Sequence, residues 1–159
     1  MSEIINLTKY AIKYLSKYSS SKKNLEKILK NKIMRMKIEK RNKAILYNSI
    51  PSIILNLETK NIISDSDYAA SKIRFFTSSG KSKIFINRYL FQKGINNEII
   101  NELLKVKENE NSNWELESAK VFARKKNLHK NNKDKEKNLA KLARAGFSYE
   151  IAKKILEEN

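Results

Sequence analysis

Apolar residues recur three and four positions apart along almost the whole chain, the spacing that gathers them on one face of a helix. Leu7, Ala11, Tyr14, Leu15 and Tyr18 form the first such stripe. Leu25, Ile28 and Leu29 form the second, directly after Ser19-Ser20-Ser21. A serine there can accept a hydrogen bond from a first-turn N–H that has no partner within the helix, so a capped start is predicted. Residues 34–47 are basic and weakly periodic, which leaves one helix or two open over 34–50. Pro51 is expected in the first turn of a helix, where a missing N–H costs nothing, with Ile53, Ile54 and Leu57 after it.

The rest of the chain repeats this pattern. Ser64 reads as an N-cap, with Asp65 and Asp67 at the positive end of the next helix, which Tyr68, Ala69, Ile73 and Phe76 line. Ser78-Ser79-Gly80 ends it. Ile86, Tyr89 and Leu90 mark another helix, stopped by Gly94 in the manner of a left-handed C-terminal glycine. Asn96 caps a helix with Ile99, Ile100, Leu103 and Leu104, and a polar loop is expected over 108–112. Trp114, Ala119, Phe122 and Ala123 follow, then a very polar stretch, 127–137. Leu139, Leu142 and Ala143 lead to Gly146, and Ser148 caps a last helix with Ile151, Ala152, Ile155 and Leu156. No segment alternates like a strand, so the expected fold class is all-α.

Self-similarity adds an architecture. A shift of 52 positions lays Leu90 on Leu142, Gly94 on Gly146, Ile95 on Phe147, Asn96 on Ser148 and Leu103 on Ile155. Helix, stop-glycine, apolar staple, cap and second helix all match, which is more than two amphipathic helices share by accident. A shift of 61 relates Leu25, Ile28 and Leu29 to Ile86, Tyr89 and Leu90. The expectation is three tandem three-helix units, 1–60 with a basic extension, 61–108 and 109–159. Each has too few apolar residues to stand alone, so they are expected to stack into an elongated curved rod.

Charge sharpens the picture of a partner. The net charge is +17, with +10 over 1–60, +2 over 61–110 and +5 over 111–159. Such a chain is drawn to polyanions. Lysine outnumbers arginine 28 to 6, and with abundant Asn and Ile this matches an AT-rich coding bias, so the placement of charge weighs more than its total. Without cysteine there is no disulfide or thiolate metal site. The longest apolar run, 50–57, is too short to span a bilayer, and residues 1–10 are too polar for a signal peptide. A cytoplasmic protein with no membrane partner is expected.

The ordered pieces resemble the RecX family. Leu90-Phe91-Gln92-Lys93-Gly94-Ile95 and Leu142-Ala143-Arg144-Ala145-Gly146-Phe147 are similar to the Leu-x-x-Lys-Gly-hydrophobic element of its units. Asn61-Ile62-Ile63-Ser64-Asp65-Ser66-Asp67-Tyr68-Ala69 is similar to its junction between the first two units. Ala11, Tyr14 and Leu15, with Ser20, Ser21, Leu25, Leu29 and Lys32, resemble its first unit. Ile33 stands where glycine is usual, Ala145 where lysine is, and 34–50 is longer and more basic than the pattern. The resemblance implies an all-helical regulator in DNA repair and the SOS response, without enzymatic activity or cofactor. It also implies a monomer that lies in the groove of the RecA–DNA filament and inhibits RecA ATP hydrolysis and strand exchange.

Lys81, Lys83, Arg88 and Lys93 lie in a stretch without an acid between Gly80 and Gly94. Arg124, Lys125, Lys126, Lys141 and Arg144 belong to a second basic segment. Singly, each reads as a solvated side chain, or as a cation suited to a helix C-terminus. Together these nine are the expected RecA- or DNA-facing residues. Phosphate contacts add up and are salt-sensitive, so none need dominate. Tyr14, Tyr89 and Tyr149 sit on apolar stripes and are expected to pack in the core in preference to stacking on bases.

Gly80-Lys81-Ser82 mimics the end of a Walker A loop, but Phe75 stands where the motif needs glycine and a helix precedes it in place of a strand. His129 is the sole histidine, with no carboxylate cluster at ligand spacing, so no metal site is expected. No nucleophile–base pair is identifiable, hence no catalytic residue. The alternative is a stand-alone basic helical protein binding single- or double-stranded DNA. It lacks the Arg, Asn and Gln set that reads bases in the major groove.

Overall fold

The computed structural model describes residues 2–128 and 133–158. Those residues hold α1 (Ser2–Lys17), α2 (Lys22–Arg35), α3 (Lys40–Thr59), α4 (Asp65–Ser79), α5 (Lys83–Gln92), α6 (Asn97–Glu110), α7 (Trp114–Lys125), α8 (Lys135–Arg144) and α9 (Tyr149–Glu158), and no strand. None of these helices is long and apolar enough to cross a membrane. The chain divides into two compact units, Met1–Tyr68 with Lys93–Ile95, and Ala69–Gln92 with Asn96–Asn159.

In the first unit α1, α2 and α3 pack on one another. Leu7 and Ala11 from α1, Leu25, Leu29 and Ile33 from α2, and Leu46, Ile50, Ile53 and Leu57 from α3 form one core. Residues 34–50 are settled as two helices. α2 ends at Arg35, Met36 caps it in an extended conformation, and α3 begins at Lys40. The Lys43 ammonium donates to the Met34 carbonyl at 2.8 Å, meeting one acceptor at the α2 terminus. Ile33, which stands where the RecX pattern usually has glycine, is buried inside α2 with no turn at it.

Pro51 is a correction. It lies inside α3, not in a first turn. An interior proline removes one helix hydrogen bond and costs about 3 kcal/mol. Buried Leu46 and Ile50 before it, and Ile53 and Leu57 after it, hold one continuous face on the core and carry the helix through.

In the second unit α9 packs on both α7 and α8. Ala119, Ala123, Leu142, Phe147, Ala152 and Ile155 anchor that core. Ile73, Phe76, Ile86, Leu90, Ile100 and Leu104 are also buried. α6 runs to Glu110, so the loop expected over 108–112 shrinks to the three residues before Trp114, whose ring nitrogen donates to Glu108 at 2.8 Å. Three stripe residues belong to solvent: Tyr18, Ala143 and Tyr149, the last 68% exposed. Each sits in or beside the last or first turn of its helix, where little packs over it.

The predicted caps at Ser21, Ser64, Asn96 and Ser148 form, each accepting a first-turn N–H. Ser82 makes a further one, to the Phe85 N–H. Two carboxylates complete helix starts from far along the chain. Asp65 accepts the Lys22 N–H of α2 at 2.8 Å, and Glu115 accepts the Lys83 N–H of α5 at 2.7 Å. The stop-glycines follow the same scheme. Gly94 (φ +79°) lies against the Lys23 side chain, and Gly146 (φ +97°) against Ser82 and Ile84.

Candidate polyanion-facing surface

Lys81, Lys83 and Arg88 sit on one short stretch, the α4–α5 turn and α5 itself. Lys81 is half-buried because its ammonium lies 4.7 Å from the centre of the Phe85 ring. Lys83 and Arg88 are exposed. The turn closes at Gly80 (φ +90°), where a side chain would meet the α7 backbone 2.8 Å away at the Phe122 nitrogen. That close approach brings Lys125 to the same turn, and its ammonium donates to the Ser79 carbonyl at 3.0 Å. Arg124 and Lys126 flank it at the end of α7, both exposed. A positive charge there is favourable for the helix itself.

Lys141 and Arg144 occupy the last turn of α8, and Arg144 bonds back to the Ala140 carbonyl at 3.3 Å. Lys93 belongs to the first unit with Gly94. The structure therefore gathers Lys81, Lys83, Arg88 and Lys125 about the α4–α5 turn and leaves Arg124 and Lys126 beside it, while Lys141 and Arg144 end α8, whose following Ala145 carbonyl accepts the Ser82 hydroxyl of the same turn. Among the described residues, Lys81, Lys83, Arg88, Arg124, Lys125, Lys126, Lys141 and Arg144 take part in no ion pair; the pairs join Lys22 to Glu58, Lys30 to Glu26 and Lys153 to Glu157. Basic side chains left unpaired by carboxylates keep their charge for an external anion.

Sequence reasoning missed Lys72 and Arg74 on α4. Lys72 lies 5.9 Å from the Tyr89 ring centre, and Arg74 lines a groove of about 340 Å³ with Thr77, Ser78, Lys107 and Trp114. The signal was available, since no acid stands between Asp67 and Glu98. The Walker-like turn is not a phosphate cradle. Ser82 is buried, donates to the Ala145 carbonyl at 2.7 Å, and the first N–H of α5 is already taken by Glu115. Tyr14 and Tyr89 are half-buried, in keeping with their stripes. His129 lies outside the described residues.

The Glu58 carboxylate, 2.6 Å from the Lys22 ammonium, raises the lysine above its ordinary 10.5; partial burial opposes this and Asp65 adds to it.

Among characterised proteins, Regulatory protein RecX of Myxococcus xanthus is 30% identical over 159 positions, covering 94% of this chain and 83% of that protein. The chain belongs to the RecX family. A crystal structure of RecX from Lactobacillus salivarius superposes with a TM-score of 0.71 at 25% identity, covering 99% of this chain and 96% of that one. A second RecX crystal structure shares the fold, with a TM-score of 0.69 at 21% identity over 98% of this chain and 72% of its own. No family-wide sequence profile matches the chain. RecX membership makes this a regulatory protein, and Lys81, Lys83, Arg88 and Lys125 about its α4–α5 turn are without an ion pair among the described residues.

Proposed function

We propose that this RecX-family chain regulates the RecA recombinase by binding the RecA–DNA filament, and that it lowers RecA ATP hydrolysis and strand exchange. The observation that carries the reading is the 30% identity to a regulatory protein RecX along 94% of the chain. The basic residues support it. A filament groove is lined by nucleic-acid phosphates and protein, and unpaired lysines and arginines suit the first. The nine residues named from sequence are proposed as filament-facing, led by Lys81, Lys83, Arg88 and Lys125 around one turn. The protein would act where RecA acts, in the cytoplasm.

We also propose that 1–60, 61–108 and 109–159 are three tandem units. Two matching joints support this. Asp65 of α4 accepts the first N–H of α2, and Glu115 of α7 accepts the first N–H of α5, the same cap. Gly94 against Lys23 and Gly146 against Ile84 make the same close approach, and this second joint obeys the shifts of 52 (Gly94 to Gly146) and 61 (Lys23 to Ile84) found in the sequence, whereas Asp65 and Glu115 stand 50 apart.

The test is ATP hydrolysis by the cognate RecA on single-stranded DNA, with this protein titrated in at about 150 mM salt. Inhibition below one molecule per RecA, persisting at salt that abolishes binding to bare DNA, is expected. Unchanged hydrolysis alongside tight, steeply salt-dependent DNA binding would leave the stand-alone DNA-binding alternative.

A further inference from the structure

We infer that the α4–α5 surface of the second unit is a stacking site for the unpaired bases of a single nucleic-acid strand, a deepening of the polyanion-facing reading above that rests on it. The stretch 68–97 holds six Lys and Arg, six Phe and Tyr, and no carboxylate. The fold assembles its rings. Phe76 is buried and touches three others edge-on: Phe75 at 5.5 Å, Phe85 at 5.2 Å and Tyr89 at 4.7 Å between centroids. Phe85 and Tyr89 lie nearly parallel, 6.3 Å apart. Phe75 is 61% exposed, an open ring held at its inner edge by Phe76.

The outer rings are dressed with cations. Lys81 stands over Phe85 and Lys72 near Tyr89. An ammonium over a ring is a weak, exchangeable contact, on the order of 0.5–1 kcal/mol where water reaches it. Its long stem can swing outward to a phosphate while a base takes the ring face. Arg88 and Lys83 add charge on the adjoining helix, and Arg74 on α4 beside Phe75.

Charge complementarity selects the occupant. A second copy of this chain, at +17, is repelled. Duplex DNA offers phosphates but hides the faces of its bases in the stack. A single strand offers both together, flat π faces at the spacing of its phosphates, and aromatic rings in a basic groove are the general means of holding it. The helix N-terminus plays no part, because Glu115 fills it. Phosphate contact falls to side chains.

The experiment measures fluorescence anisotropy of an oligothymidylate of about 15 nucleotides and of a duplex of the same length, with the full chain. Phe75→Ala removes a mainly exposed ring, so its melting curve should match wild type. Single-strand affinity should fall about 5- to 100-fold, duplex affinity should hold, and Phe75→Trp should retain single-strand binding. Lys81→Ala should weaken both and reduce the salt slope. Single-strand affinity of Phe75→Ala within about twofold of wild type, or equal losses on both DNAs, overturns the site. So does competition by a polyglutamate peptide as effective as by the oligothymidylate, which would indicate an acidic protein segment. RecA hydrolysis, run in parallel, separates the two readings. Strand discrimination without any effect on RecA overturns the regulatory proposal alone. RecA inhibition with no discrimination overturns the stacking site alone.

Discussion

Gly146 and Ser82 should behave as one energetic unit, and a double-mutant cycle measures it. Gly146 has φ +97°, and a Cβ placed there would overlap the Ser82 hydroxyl oxygen. That hydroxyl makes two bonds, donating to the Ala145 carbonyl at 2.7 Å and accepting the Phe85 N–H at 3.2 Å. Ser82→Ala loses a helix cap, worth about 1 kcal/mol, and a buried neutral hydrogen bond, worth about 1 more. Gly146→Ala incurs about 1–2 kcal/mol for left-handed backbone. It also displaces the hydroxyl and loses the same two bonds, for roughly 3–4 kcal/mol in all. In the double variant the offending oxygen is absent, and the next contacts, Ser82 Cβ and Ile84 Cβ, stand at an ordinary 3.4 Å. It should therefore cost about what Gly146→Ala costs alone, not the sum, a coupling of about 2 kcal/mol. Urea unfolding of the four proteins, read by far-UV circular dichroism and by the fluorescence of Trp114 in the same unit, gives the cycle. Additivity within about 0.5 kcal/mol would refute the argument, because it would mean that the added methyl and the hydroxyl never meet.

Three further outcomes are expected. Leu29→Ala empties a fully buried position in the first-unit core and should lower its stability by about 2–5 kcal/mol in urea unfolding, while Leu55→Ala, on an exposed position of α3, should change it by less than about 0.5. Glu115→Ala strips the first N–H of α5 of its acceptor and should cost about 0.5–1 kcal/mol, which Glu115→Gln should largely recover by keeping a carbonyl there; equal losses in thermal melts would contradict the bond. Lys22 has its pKa raised in the folded chain, so its contribution is complete below the unfolded value and is lost as pH rises through the folded one; urea midpoints of wild type should therefore fall more steeply above pH 10.5 than those of Lys22→Gln.

Local rules made much of the fold legible. The caps at Ser21, Ser64, Asn96 and Ser148 depend on atoms two or three residues away, and the stop-glycines on their own φ, so sequence spacing alone locates them. The core stripes of α2, α6 and α9 likewise follow from the helix period. Pro51 was misplaced because a first-turn proline is the local optimum, and only the packing of Leu46, Ile50, Ile53 and Leu57 makes an interior one tolerable. Tyr149 was misplaced because a stripe says which residues share a face, not whether anything covers its end.

The surface was only half legible. The lack of carboxylates over 68–97 is a property of the sequence, and so is the basic character of the α4–α5 turn. What the chain order does not contain is adjacency. Asp65 reaches Lys22 across 43 positions, Glu115 reaches Lys83 across 32, and Lys125 reaches Ser79 across 46. Phe85 and Tyr89 meet Phe76 only because α4 and α5 close on a left-handed glycine. Helix period, capping chemistry and charge are written residue by residue. A ring cluster with cations on its faces comes from long-range packing, where steric fit and burial determine which distant residues become neighbours.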